Sequence, residues 1–85
     1  MKTVNEIRID AIRAINNIIT LKSNVFNGCY SDRAALEIEE KRLPAIKSWA
    51  INNDQIQGIR HYFAAHNFGQ HDQFVAAEIA TFFNK

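Results

Sequence analysis

The chain has 85 residues, a formal net charge of +1, 47% hydrophobic residues and 22% charged residues. This length fits one domain, and the density of apolar residues excludes a disordered chain. The small net charge provides no overall attraction for nucleic acid or for an anionic membrane. We therefore expect residues 1–85 to form a single helical domain with no membrane partner.

The cysteine count and the N-terminal residues bear on the compartment. One cysteine, Cys29, cannot form an internal disulfide, which excludes a disulfide-stabilised secreted domain. The first residues lack the continuous apolar block of a signal peptide, and no stretch reaches the roughly 18 uninterrupted apolar residues of a membrane span. These observations predict a cytoplasmic protein.

The first predicted helix begins at Thr3, where Thr3 and Glu6 have the spacing of a capping box, and runs to about Lys22. Its apolar residues fill about half of the helical circumference, whereas a helix with one partner needs a stripe only a little over about 100° wide. Such a broad arc must contact two neighbours, and we expect one of them to belong to a second copy of the chain. The predicted interface of a homodimer or higher oligomer consists of Ile7, Ile12, Ile15, Ile18 and Ile19.

A turn at Asn27-Gly28 separates this helix from a second one, which is capped by Ser31 or Asp32. Pro44 interrupts the second helix, because proline has no amide to donate and its ring clashes with the preceding turn. We expect a helix that is kinked or broken at Pro44 and that ends near Asn52.

Two further helices complete the predicted fold. Asp54 and Gln57 have capping-box spacing for a helix to about Asn67, and Asp72 begins a last helix that runs to about Phe83. The chain shows no alternating pattern typical of β-strands. The predicted fold class is therefore all-α, a small bundle of about four helices.

Three polar residues project onto apolar stripes of the predicted helices. Arg8 either packs its stem at an edge with its charge in water or pairs with Glu39, and His66 is expected to be a packed histidine. His61, His66 and His71 recur at intervals of five, which turns about 140° around a helix, so they do not predict a metal site. The sequence also lacks a glycine-rich phosphate loop and a nucleophile–base pattern. We expect no catalytic, cofactor or metal site, and no enzyme.

Two functions remain from different classes. The first is a small protein-binding accessory factor or inhibitor, of bacterial or phage type, that binds a protein partner through an apolar helical face. The alternative is a protein that binds nucleic acid, RNA rather than DNA, through a basic patch formed on an oligomer. The candidate partner or nucleic-acid surface for these two functions comprises Arg8, Arg13, Lys41, Arg42, Lys47 and Trp49.

Overall fold

The computed structural model describes residues 1–70 and 72–84. These residues form a small all-α bundle without a β-strand, which confirms the predicted fold class. The five α-helices are α1 (Val4–Phe26), α2 (Arg33–Glu40), α3 (Arg42–Asn52), α4 (Ile56–Ala65) and α5 (Gln73–Phe83), and one turn of 3₁₀ helix (Tyr30–Asp32) precedes α2.

Local signals account for both ends of α1. The Thr3 hydroxyl accepts a hydrogen bond from the Glu6 amide at 3.2 Å and donates one to the Glu6 carboxylate at 3.3 Å. At the other end the Cys29 amide donates to the Asn24 carbonyl at 2.8 Å and the Gly28 amide to the Val25 carbonyl at 3.1 Å. This is a Schellman motif, and Gly28 has the φ of +101° that its position requires. The helix thus ends at Phe26, one turn beyond the predicted end near Lys22.

The interruption expected at Pro44 lies three residues earlier, at Lys41. Pro44 occupies the first turn of α3, where a backbone amide has no partner within the helix, so its missing N–H costs no helical hydrogen bond there. Its ring would clash with the carbonyl of Glu40 in a continuous helix, and Glu40 is the last residue of α2. Lys41 keeps φ −64° and ψ −17°, so the chain stays in the right-handed region between the two helices.

The bundle is built by four passes of the chain. Lys22, near the end of α1, pairs with Glu40 of α2 at 3.6 Å and with Glu78 of α5 at 3.1 Å. Arg8, near the start of α1, contacts Gln55, which directly precedes α4. Segment α2–α3 therefore returns along α1 towards its beginning, α4 runs in the direction of α1, and α5 returns again.

The core lies between these passes and takes residues from all five helices. It contains Ile15, Ile18, Ile19, Leu36, Ala50, Ile59, Val75, Ala76, Ile79 and Phe83. Three isoleucines that we expected at an oligomer interface, Ile15, Ile18 and Ile19, are at most 2% exposed within the single chain. Their assignment to an interface is wrong, because they have no surface left for a second copy. The other two, Ile7 and Ile12, are half-buried and line grooves on the two flanks of α1.

Two cations hold the C-terminal end of α5. Lys47 Nζ of α3 donates to the Phe82 carbonyl at 2.9 Å and lies 4.9 Å from the centroid of the Phe82 ring. Arg60 Nε of α4 donates to the Phe83 carbonyl at 3.1 Å. Because the last carbonyls of a helix lack intrahelical donors and carry partial negative charge, cations here stabilise the helix end.

Among the described residues, no helix is both long enough and apolar enough to cross a membrane.

Two phenylalanines on α5 provide a matched test of this core. Phe83 is fully buried and Phe74 is 77% exposed. We expect Phe83→Ala to lower the free energy of unfolding by about 3–5 kcal/mol, because it leaves a cavity in the core. The same change at Phe74 should alter it by no more than about 0.5 kcal/mol. Urea denaturation of both variants measures the difference, and equal effects would contradict the described packing of α5.

Candidate functional site

An apolar groove of about 320 Å³ lies between α1 and α3. Its apolar lining from α1 is Ile7, Ala11 and Ala14, and its apolar lining from α3 is Ala45, Ile46 and Trp49. Alanine side chains end at Cβ, so the alanines of the two helices leave a furrow that larger side chains would fill. The groove can therefore bury apolar atoms of a ligand without displacing the core.

The spacing of these residues sets the length of the groove. The α1 lining has residues at positions 7, 11 and 14, and the α3 lining extends from position 42 to position 49. The first and last residues of each set are seven positions apart, which is two helical turns or about 10 Å at roughly 1.5 Å per position. The groove is thus as long as two turns of a helix laid against it.

One charged residue lies on each wall of the groove. Asp10 of α1 forms an ion pair with Lys2, and the hydrogen bond from Lys2 lowers the pKa of Asp10 below its ordinary value of 3.8. Arg42 of α3 pairs with Glu39 at 3.4 Å. At neutral pH the α1 wall therefore carries a negative charge and the α3 wall a positive one.

The proposed pairing of Arg8 with Glu39 is not present. Glu39 pairs with Arg42, whereas Arg8 Nη1 donates to Gln55 Oε1 at 3.4 Å. The Arg8 Cδ lies 3.6 Å from the place that a Cβ would take at Gly58, so its stem packs on the start of α4. Arg8 therefore adopts the other predicted arrangement, in which its aliphatic stem packs at the edge of the core.

The structure does not gather the predicted basic residues into one surface. Arg42 and Trp49 line the groove, Lys47 binds the carbonyl of Phe82, and Lys41 is exposed between α2 and α3. The other two arginines lie on α1, with Arg8 facing α4 and Arg13 exposed. The six residues thus do not form one surface on the single chain, and the basic patch expected on an oligomer stays a prediction.

A second cleft lies between α1 and α4, on the opposite flank of α1. Tyr62 anchors it, because the Tyr62 hydroxyl donates to Asn16 Oδ1 at 2.5 Å. His66 lies at the boundary, just after α4 ends at Ala65, and it is exposed to solvent on one side. Its ring nevertheless packs as expected, because it stacks on Tyr62 with centroids 5.0 Å apart and meets the Phe68 ring at 4.6 Å.

The described residues contain no group of three or more histidine, cysteine, aspartate or glutamate side chains arranged to hold a metal ion. His71, the third of the evenly spaced histidines, lies outside the described residues.

Sequence reasoning found Trp49, Arg42 and Ile7 but not the alanines that form the floor of the groove. A signal for them exists in the chain, because Ala11 and Ala14 continue the apolar stripe of α1 with the smallest side chains on it. Small residues on a stripe indicate either a close helix contact or a furrow, and only the position of α3 distinguishes the two.

This chain matches no known protein family, no curated protein and no solved structure. Its function is therefore inferred from its own residues and their geometry.

Trp49 is the only tryptophan in the sequence, so its fluorescence reports on the groove alone. We expect Ala45→Leu to place apolar atoms beside Trp49, to shift its emission to shorter wavelengths and to stabilise the fold by up to about 1.5 kcal/mol. Ala64→Leu, an exposed alanine of α4 that does not line the groove, is the matched control. An emission spectrum of the Ala45 variant that equals that of the control would contradict the groove geometry.

Proposed function

We propose that this chain is a small protein-binding module, not an enzyme, that acts as an accessory factor or inhibitor by holding an amphipathic helix of a partner protein. The observation that carries the proposal is the apolar groove between α1 and α3. Its walls bury apolar surface, which is the main source of affinity in protein association.

The shape of the groove favours a helix as its occupant. A helix docked along two turns presents anchors at positions i, i+3 or i+4, and i+7, and this mode of recognition recurs in proteins with hydrophobic grooves between helices. Each large apolar anchor that becomes fully buried contributes about 1.5–3 kcal/mol. The half-buried Trp49 in the wall is of the residue type most enriched among strong contact sites.

The charges on the walls give the partner helix an orientation. A helix with a basic residue facing Asp10 and an acidic residue facing Arg42 complements both walls. Because Lys2 and Glu39 already neutralise these two charges in part, the charges contribute more to orientation and selectivity than to affinity.

The original reason to expect an oligomer no longer applies, because Ile15, Ile18 and Ile19 are already buried within the single chain. A partner of different sequence is thus the proposed occupant, and a second copy becomes an outcome to be tested. The proposed compartment is the cytoplasm, because Cys29 is an exposed free thiol and such thiols persist in reducing compartments.

The proposal is tested with a phage-displayed library of helical peptides selected on the wild-type protein. We expect the selected peptides to carry apolar anchors spaced over two turns and to shift Trp49 emission to shorter wavelengths. Ala45→Arg places a long cation in the groove and should weaken these peptides at least about tenfold, or about 1.4 kcal/mol. Fluorescence titration gives the dissociation constants.

Ala64→Arg adds the same charge at an exposed position of α4 outside the groove and should leave peptide affinity unchanged. Peptides that bind the Ala45 variant as tightly as the wild type would overturn the proposal. Analytical sedimentation at tens of micromolar protein tests whether a second copy of the chain occupies the groove. A wild type that dimerises while Ala45→Arg stays monomeric would assign the groove to a second copy instead.

A further inference from the structure

The cleft between α1 and α4 differs in chemistry from the groove on the other flank of α1. Its volume is about 480 Å³. The polar lining comes from Arg8, His61, Tyr62 and His66, and the apolar lining from Ile12 and Ala65. The lining contains no aspartate or glutamate, so no acidic side chain in it opposes the charge of Arg8.

Arg8 brings a guanidinium with unused donors to this cleft. Its one hydrogen bond in the described part of the chain is the long contact of 3.4 Å to Gln55, and none of the ion pairs there includes it. A guanidinium has five N–H donors in a planar fork that matches an oxyanion. Most of these donors therefore remain free for a ligand in the cleft.

The two histidines add imidazole donors from α4 and its C-terminal cap. The imidazole of His61 forms no side-chain hydrogen bond to any other described residue. The His66 ring is held by stacking on Tyr62, and its amide donates to the Tyr62 carbonyl at 2.9 Å. Since Tyr62 is in turn bonded to Asn16 of α1, the ring of His66 is tied to both walls of the cleft.

From these contacts we propose that the cleft between α1 and α4 binds a phosphate group of a small ligand. Arg8, His61 and His66 offer donors from three side chains, and the oxygens of a phosphate point in tetrahedral directions that can meet all three, whereas the two oxygens of a carboxylate lie in one plane. Ile12 and Ala65 bring apolar surface to the same cleft, which the organic part of a phosphate-bearing ligand can contact. The site lies apart from the groove between α1 and α3 and does not depend on the function proposed for it.

The probes are inorganic phosphate, adenosine monophosphate and adenosine. Binding of each probe is measured from the imidazole proton resonances of His61 and His66 in nuclear magnetic resonance spectra. We expect both phosphate-bearing probes to shift these resonances with saturation, and adenosine to leave them unchanged. Tighter binding of adenosine monophosphate than of inorganic phosphate would show that the organic part adds contacts, and equal binding would show that the phosphate alone is recognised. Both results support the proposal.

Arg8→Gln removes the cation and should weaken phosphate binding about tenfold, as for the loss of a hydrogen bond to a charged group. Arg33→Gln removes the same charge from an exposed position at the start of α2 and should leave binding unchanged. His61→Gln changes an exposed side chain and tests the same cleft should the Arg8 variant fail to fold. Circular dichroism identifies such a failure.

Three results would overturn the proposal: shifts by adenosine equal to those by its monophosphate, no saturable shift with either phosphate probe, or unchanged phosphate affinity in a folded Arg8→Gln or His61→Gln variant. Because peptide binding is read from Trp49 and phosphate binding from the histidines, either proposal can fail without the other.

Discussion

The burial of one long side of α1 between other parts of the same chain is the contact on which the rest of this fold depends. Ile15 and Ile18 lie at the centre of that side and are fully buried. Segment α2–α3 lies along one flank, α4 lies along the other, and α5 contacts α1 between them. A helix with a half-circumference apolar arc is thereby covered without a second chain, because three passes of the chain share the arc.

Both clefts follow from that arrangement, because each lies where the covering of α1 is thinnest. On the α3 side the arc ends in Ala14, whose small side chain leaves a furrow. On the α4 side it ends in Arg8, whose stem packs on Gly58 while its charge faces the cleft. The same helix thus contributes a mainly apolar wall to one cleft and a cationic side chain to the other, so the two clefts differ in the chemistry that they present.

The position of α3 depends on contacts far from the groove that it lines. Lys47, which lies between Ile46 and Trp49 in the sequence of α3, donates to the carbonyl of Phe82 at the end of α5. Phe83, the next residue, is fully buried and accepts from Arg60 of α4. The groove wall is therefore tied through a helix end to the core. Lys47 was expected in an open basic cluster, and its partner 35 residues away explains why it is not there.

Signals that act over a few residues were readable from the chain. The cap at Thr3, the turn at Asn27-Gly28 and the bounds of α5 agree with the structure. The side-chain caps expected at Asp54 and Asp72 do not form, and α4 begins after Gln55 instead. The sequence did not predict which residues contact Arg8 or which helices bury Ile15. The width of an apolar stripe shows how much of a helix must be buried, but it does not show which segment buries it. Tertiary packing made that choice, because it brings together residues that are far apart in the chain, such as Arg8 and Gln55, 47 positions apart, and Asn16 and Tyr62, 46 positions apart.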